Sequence, residues 1–246
     1  MKGIVLSGDS GSCLYPLTLG IPKQLLLIYD KPMIYYPIET LVKAGIPEIL
    51  VITTSAQQPA FKGFLADGSS LNCKISYAIQ DEPKGIAEAL VIGKDFIGND
   101  AVCLITGDTI ISGDTLSQQL QKAFKAVEKS GNATIFVSKD TDADQYDKVI
   151  GNKTVVGESD DYYYKSITGL YVFPKGAAEK VGLIEPSDRG LLEITSVSQV
   201  YQEDNKLQIQ ELTQDCEWLD TNTFDSLVKC NTCMQKHSKY DYNYDN

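Results

Sequence analysis

The sequence predicts an α/β protein with a mixed, mostly parallel central sheet and helices on both faces of that sheet. Two observations support this fold class. Short apolar runs alternate with amphipathic stretches of helical period up to about residue 140, which is the pattern of repeated β-α units. The composition, 43% hydrophobic and 22% charged residues, is that of a globular chain. An open sheet of this kind binds its ligands at the carboxyl ends of its strands.

The first part of the chain supplies most of the predicted sheet. Its strands are expected at Gly3–Leu6, Glu48–Thr53, Lys74–Ala78, Ala101–Ile105 and Ala133–Ser138. The helices between them are expected at Met33–Ala44, Gln58–Leu65, Gly85–Phe96 and Thr115–Lys129. Crossovers between parallel strands should be right-handed.

The pattern changes after about residue 140, where an acidic, loop-like stretch precedes closely spaced runs that favour antiparallel pairing. Here we expect strands at Lys153–Val156, Ile167–Phe173 and Leu207–Leu212, and helices at Asp188–Gln202 and Thr223–Met234. One domain over residues 1–235 is therefore predicted, with a nucleotide-binding half (1–140) and a half (141–235) that closes over it. The polar tail, 236–246, is expected to fray.

Charge and cysteine content indicate which classes of partner the protein can bind and in which cell compartment it is found. A net charge of -11 and a pI of about 4.6 argue against nucleic-acid binding. No apolar run approaches the roughly 20 residues of a membrane span. Six scattered cysteines without a secretion signal predict reduced thiols and a cytoplasmic protein.

Two stretches near the N-terminus could hold phosphate. The turn Gly8-Asp-Ser-Gly11 follows the first strand and could bring backbone N–H groups close to a phosphate, although an ordinary strand–helix turn would read the same way. Lys23, in PKQLL, lies about a dozen residues later. It could reach a phosphate as a point charge, or it could be a solvated surface lysine.

Two aspartates are candidates for a metal site. Asp108 ends a predicted central strand in Thr-Gly-Asp, and Asp220 follows an apolar and aromatic pair in Trp-Leu-Asp. Carboxylates together with substrate phosphates are the usual environment of Mg²⁺. If the two side chains meet, they could bind Mg²⁺ at a phosphate; otherwise each is a turn residue.

Taken together and in this order, these stretches resemble the sugar-1-phosphate nucleotidyltransferases, and within them the members that use dTTP and glucose 1-phosphate. The resemblance covers about residues 1–230. Its most specific segments are KGIVLSGDSGSCLYPLT, PKQLLLIYDKPMIYYPIETLVKAGIPEILVITT, QDEPKGIAEALVIGKDFIGND, TGDTIISG, RGLLEIT and WLDTNTFDSL.

The resemblance implies a Rossmann-like, three-layer α/β/α nucleotidyltransferase fold and a Mg²⁺-dependent reaction of dTTP or UTP with a sugar 1-phosphate, releasing pyrophosphate. It also implies a possible homo-oligomer. By matching position, it assigns Leu6, Gly8 and Gly11 to the nucleoside triphosphate, Gln80 and Gly85 to the base, Asp108 and Asp220 to Mg²⁺, Lys23 to phosphate, and Val149, Glu158, Gly169 and Glu193 to the sugar. Of these, Lys23, Asp108 and Asp220 would be the catalytic residues.

The chain departs from the family pattern at charged positions. Cys13 replaces an arginine of the glycine-rich loop, Asp9 replaces a glycine, and Ser159 falls where a phosphate-binding lysine is expected after Glu158. In place of the helices that follow this motif in the family, we expect only a short cysteine-containing segment and a polar tail after WLDTNTFDSL. Two interpretations therefore stay open: an active nucleotidyltransferase, or a non-catalytic relative that binds nucleotide or nucleotide-sugar as a sensor or an assembly subunit.

Overall fold

A computed structural model describes residues 1–138, 148–150, 153–155 and 164–237, with side chains for all of these except 148–150, 153–155 and 164. The strands in these residues are β1 (Lys2–Leu6), β2 (Leu27–Ile28), β3 (Lys31–Pro32), β4 (Glu48–Thr53), β5 (Lys74–Ile79), β6 (Val102–Thr106), β7 (Ile110–Ser112), β8 (Ala133–Ser138), β9 (Lys148–Ile150), β10 (Lys153–Val155), β11 (Tyr164–Phe173), β12 (Leu207–Glu211) and β13 (Glu217–Leu219). The helices are α1 (Tyr35–Lys43), α2 (Gln58–Leu65), α3 (Glu88–Ile92), α4 (Lys94–Ile97), α5 (Leu116–Ser130), α6 (Ala177–Val181), α7 (Ile194–Glu203) and α8 (Phe224–His237).

One sheet runs through both halves of the chain. Its strands follow the order β12-β8-β11-β6-β1-β4-β5, and the β9–β10 hairpin extends from β11. β1 pairs in parallel with β4 and β6, so that Val5 lies opposite Val51 and Ile105. β11 runs antiparallel to both of its long neighbours, β6 and β8. The prediction of a mixed, mostly parallel sheet is therefore confirmed.

Helices cover both faces of this sheet, because its central strands are apolar on both sides. On one face, α1, α2 and α5 bury residues such as Leu41, Phe61 and Leu120 against β1, β4 and β6. On the other face, α3, α6 and α7 bury side chains such as Leu90 and Val197. A third cluster holds α8 against the β2–β3 hairpin and the segment that follows β1. None of the helices described is long and apolar enough to cross a membrane.

Two predicted helices were wrong at their N-terminal ends, and both of these segments line the cleft at the carboxyl ends of the strands. The stretch Gly85–Phe96 becomes helical only at Glu88 and is divided by Gly93 into α3 and α4. The stretch Asp188–Gln202 becomes helical only at Ile194. In both places backbone bonds between distant segments replace local helical bonds: Leu192 N–H donates to Lys84 C=O, and Ala87 N–H donates to Leu192 C=O. At the C-terminus, α8 includes the first two residues of the predicted tail, and 238–246 lie outside the described residues.

Candidate active site

A cleft of about 430 Å³ opens at the carboxyl ends of β1 and β6. Its size falls in the usual range for small-molecule sites. Segments from both halves of the chain line it: Leu6, Gly8, Asp9, Gln24, Gln80, Pro83, Gly85, Ile86, Thr106, Asp108, Thr109, Ile167, Thr168, Gly169, Tyr171, Arg189, Leu191, Glu193, Trp218, Leu219, Asp220, Thr221 and Asn222.

The loop after β1 is closed by its own polar groups. The Asp9 carboxylate accepts a hydrogen bond from the Gly11 N–H (3.2 Å), and the Thr18 hydroxyl donates to the Gly11 C=O (2.6 Å). Gly11 has φ +66°, and a Cβ there would lie 2.9 Å from Cβ of Lys23. The loop therefore needs glycine at this position, both for its backbone conformation and for the close approach of Lys23.

Lys23 is fully buried and forms an ion pair with Asp108 at 2.7 Å, between Nζ and Oδ2. Burial disfavours the charged ammonium, but the Asp108 carboxylate outweighs burial and raises the pKa of Lys23 above its ordinary value. Burial likewise opposes the charge on Asp108, yet Lys23 and the Thr106 hydroxyl hold the pKa of Asp108 below its usual range. Both groups are therefore charged at neutral pH, and Lys23 is not a solvated surface lysine.

Strand pairing brings the two predicted metal aspartates to one end of the cleft. β13 pairs antiparallel with β7, so that Leu219 lies opposite Ile110. Asp220 directly follows Leu219, and Asp108 lies two residues before Ile110. Both aspartates therefore lie at the same end of the ladder. The Thr221 hydroxyl also donates to the Asp108 C=O at 3.3 Å.

The buried Gln80 side chain is oriented by two acceptors. Its Nε2 donates to the Gly85 C=O (3.2 Å) and to the Glu88 carboxylate (2.7 Å). Because neither partner can donate, the amide nitrogen must face them. Oε1 consequently lies toward Gly8, 3.2 Å from where a Cβ on that glycine would be.

On the opposite wall, a bulge in β11 is pinned to the Asp108 turn. The Thr109 hydroxyl donates to the Thr168 C=O (2.9 Å) and lies 2.7 Å from the Thr106 hydroxyl. Gly169 follows with φ +80°, and a Cβ there would come within 2.5 Å of the Thr109 hydroxyl. Any side chain at Gly169 would therefore push the bulge away from the Asp108 turn.

A second pair of charges lies near the start of α7. Oε1 of the buried Glu193 accepts bonds from the Ser187 hydroxyl (2.8 Å) and from the Arg189 guanidinium (3.0 Å). The Arg189 side chain is 61% exposed and lines the cleft. It therefore adds a positive charge at the wall without being buried itself.

Comparison with known proteins identifies the family. Residues 2–237 match the nucleotidyl transferase family. The chain is 44% identical over 241 residues to a glucose-1-phosphate thymidylyltransferase of Neisseria meningitidis, covering 96% of this chain and 83% of that protein. This chain belongs to the nucleotidyl transferase family. It is also 43% identical over 238 residues to the glucose-1-phosphate thymidylyltransferase of Mycobacterium tuberculosis, covering 93% of this chain and 80% of that protein.

A solved relative of this chain has the same architecture. A crystal structure of a Bacillus anthracis protein, described as a glucose-1-phosphate thymidylyltransferase in complex with a sucrose, superposes with a TM-score of 0.82 at 30% identity. The match covers 95% of this chain and 94% of that one. The predicted Rossmann-like nucleotidyltransferase fold is confirmed.

Most of the predicted site residues meet in this cleft. Those lining it are Leu6, Gly8, Gln80, Gly85, Asp108, Gly169, Glu193 and Asp220. Gly11 and Lys23 lie beneath its surface, in contact with each other. Val149 belongs to β9, where only the backbone is described, and Glu158 and Ser159 lie outside the described residues.

Several polar residues of the cleft were missed from the sequence, among them Arg189, Gln24 and Asn222. Arg189 is the only arginine among 22 basic residues, a signal that could have identified it. Gln24 is 1% exposed and lines the cleft, and its Oε1 has no hydrogen-bond partner among the described residues. Nothing in the local pattern of PKQLL distinguishes Gln24, because its burial depends on the tertiary fold.

Cys13 lies at the rim beside these groups. Its Sγ is 4.0 Å from Oδ1 of Asn222, and the thiol is free. Partial burial raises the pKa of Cys13, although Lys23 opposes the rise. The thiol is therefore neutral at physiological pH and offers none of the five donors of a guanidinium.

The two aspartates fit a magnesium ion that is shared with substrate. Both supply the hard oxygen ligands that Mg²⁺ prefers, and the ion usually takes one or two carboxylates and completes its shell with phosphate and water. The Asp108 carboxylate accepts from Lys23, and the Asp220 carboxylate accepts from the Asn222 N–H (3.0 Å). In the described part of the chain, no three histidine, cysteine or acidic side chains gather as a ligand set. A site completed by phosphate is consistent with this geometry.

Proposed function

We propose that this protein joins a pyrimidine nucleoside triphosphate to a sugar 1-phosphate and releases pyrophosphate, with dTTP and glucose 1-phosphate as the favoured pair. The observation that carries the proposal is the buried Lys23–Asp108 ion pair, at the junction of the glycine-containing loop and the cleft. A buried charge pair without a role in binding would commonly be no more stable than apolar residues of the same size. The choice of dTTP and glucose 1-phosphate rests on the relatives of known name.

The preference for a pyrimidine with an N3–H group follows from Gln80. Its Nε2 is committed to Gly85 and Glu88, so Oε1 is the group that it presents beside Gly8. A fixed acceptor pairs with the N3–H of thymine or uracil, whereas cytosine carries an acceptor at that position. Gly85 keeps this wall close to the base because no side chain projects from it.

Gln24 supports binding of the nucleoside sugar. A buried amide oxygen without a partner is costly in the empty protein, and the cost is relieved when a ligand donates to it. Since Gln24 lines the cleft, a hydroxyl of the nucleoside is a suitable donor.

Catalysis would consist of positioning and charge neutralisation. A phosphate oxygen of the sugar 1-phosphate attacks the α-phosphorus and forms a new P–O bond. The bond from the α-phosphorus to the bridging oxygen breaks, and pyrophosphate leaves with the electron pair. Lys23 and Arg189 would supply positive charge to the phosphates. Mg²⁺, held by Asp108 and Asp220, would neutralise further phosphate charge when bound.

The sugar side is proposed at Gly169 and Glu193. Within the described residues, the Ser187 and Arg189 bonds to Glu193 both go to Oε1, and we propose that Oε2 accepts from a sugar hydroxyl. Gly169 lets the sugar approach the β11 backbone closely. From their positions in the family pattern, we also propose that Val149 and Glu158 contact the sugar.

A second candidate function is nucleotide or nucleotide-sugar binding without efficient turnover. It is favoured by the neutral Cys13 thiol at the loop and by Asp9, which lines the cleft and adds negative charge beside the phosphates. Losing one transition-state contact could lower the rate by ~10²–10³.

Pyrophosphate release from dTTP or UTP with glucose 1-phosphate and Mg²⁺ separates the two candidates, with Asp108→Asn as the inactive control. Release well above the control supports the transferase. Release equal to the control, with nucleotide binding still measured by calorimetry, supports the binding protein. Binding of neither nucleotide nor sugar phosphate would contradict both.

We further propose a cytoplasmic location, supported by the six free cysteines.

A further inference from the structure

We infer that Asn222 is a positioning residue that holds the ammonium group of Lys23 in its working orientation, an inference that rests on the proposed role of Lys23 in phosphate transfer. Asn222 lies at the rim of the cleft, in the loop between β13 and α8. It joins the N-terminal lysine to the aspartate loop near the C-terminus.

The contacts of Asn222 reach both catalytic loops. Its Oδ1 accepts a hydrogen bond from Nζ of Lys23 at 2.6 Å, and its backbone N–H donates to the Asp220 carboxylate at 3.0 Å. Lys23 in turn donates to Asp108 at 2.7 Å. A single residue thus connects the lysine directly, and through it Asp108, to the loop that carries the second aspartate.

The need for such a partner follows from the chemistry of an ammonium group. Lys23 has three N–H bonds that rotate about a flexible stem, and one carboxylate cannot fix their directions. A second acceptor at a distinct position fixes the group, so that the third N–H has a defined direction. A hydrogen bond to a charged group contributes more than a neutral one.

Cys13 makes this arrangement specific to the present chain. The thiol lies 4.0 Å from Oδ1 of Asn222, the oxygen that accepts from Lys23. The short, neutral thiol adds no positive charge there, whereas the Asn222 amide accepts from the ammonium group. Asn222 thereby orients the remaining lysine where the loop itself supplies no cation.

A double-mutant cycle between Asn222 and Lys23 tests the inference. We expect Asn222→Ala to lower kcat about 10- to 100-fold, while the KM for glucose 1-phosphate changes less than about twofold. In a Lys23→Met background, Asn222→Ala should change kcat by less than about twofold, because no ammonium group remains to be oriented. Equal effects in the two backgrounds would overturn the inference.

A conservative variant and a matched control separate positioning from folding. Asn222→Asp keeps the acceptor, so its kcat should recover most of what Asn222→Ala loses, while the added charge raises the KM for the triphosphate. An aspartate variant with the kcat of the alanine variant would contradict the role of the acceptor. Asn231→Ala removes another asparagine acceptor in the same region, that of the Tyr29 N–H, and should leave kcat and both KM values unchanged.

The cycle also has a readout that is independent of turnover. The Kd for dTTP with Mg²⁺, measured by calorimetry in the same four proteins, should show the same loss of the Asn222→Ala effect when Lys23 is methionine. Wild-type protein that releases no pyrophosphate would refute the proposed transferase activity alone. Additive effects on Kd would then refute the positioning role separately.

Discussion

Replacing Gly85 with alanine should both destabilise the fold and weaken nucleotide binding. The residue has φ +100°, and a Cβ there would lie 2.2 Å from the carbonyl oxygen of Leu192. The Leu192 C=O accepts from the Ala87 N–H (3.1 Å), and the Leu192 N–H donates to the Lys84 C=O (2.7 Å). One methyl group would therefore strain the backbone and force apart the two segments that form this wall of the cleft.

The size of the effect follows from these contacts. A non-glycine residue in so sparsely populated a conformation costs about 1–3 kcal/mol. Leu192 must also move by about 1 Å to reach an ordinary contact, which breaks or weakens two backbone hydrogen bonds worth about 1 kcal/mol each. The free energy of unfolding should fall by about 2–5 kcal/mol. For a chain of this size, each kcal/mol lowers Tm by about 2–4 °C.

Calorimetric melting and the Kd for dTTP measure the two effects. Gly63→Ala is the matched control, since Gly63 lies exposed within α2 and a Cβ there would meet nothing within 4 Å. That variant should gain about 0.5–1 kcal/mol, because alanine is the better helix former. A Gly85→Ala protein with the Tm and dTTP affinity of the wild type would refute the reasoning.

Three further predictions concern the polar groups of the cleft. Gln24→Met should raise Tm, because a buried amide without a partner is removed, and should weaken dTTP binding by about tenfold or more. Arg189→Ala should raise the KM for glucose 1-phosphate about tenfold and should lower Tm slightly, since the buried Glu193 carboxylate loses the guanidinium as a hydrogen-bond donor. Asp108→Asn should lower the free energy of unfolding by about 3 kcal/mol near neutral pH, as measured by urea denaturation. The stabilisation from Asp108 is complete above its unfolded pKa of about 4 and is lost as pH falls through its lower pKa in the folded protein. The stabilisation from Lys23 is complete below its unfolded pKa of about 10 and is lost as pH rises through its higher pKa in the folded protein.

Each of these predictions has a contrary outcome. A lower Tm for Gln24→Met would mean that its amide oxygen has a partner after all. An Arg189→Ala protein with the wild-type KM for glucose 1-phosphate would show that the guanidinium does not contact the sugar phosphate. If the difference in stability between wild type and Asp108→Asn were the same at pH 3 as at pH 7, the Lys23–Asp108 pair would not be the source of that difference.

Much of the sheet could be predicted because its signal is local. β1, β4, β6 and β8 are continuous apolar runs bounded by polar residues, and burial on both faces leaves such runs few alternatives. The N-terminal parts of the predicted helices at Gly85 and Asp188 failed for the opposite reason. There the backbone hydrogen bonds join residues about a hundred positions apart, and helical periodicity in the sequence does not indicate such bonds.

The sequence by itself determined the family and the parallel core, and it predicted Asp108 and Asp220 as candidates for a metal site, because these inferences depend on ordered motifs and on apolar spacing. Only the tertiary structure decided that Lys23 is buried and charged, that Asp108 and Asp220 lie at one end of the β7–β13 ladder, and that Arg189, Gln24 and Asn222 reach the same cleft. Desolvation and ion pairing depend on which segments surround a group. That surrounding is made by strands and loops from both ends of the chain, and no local pattern specifies it.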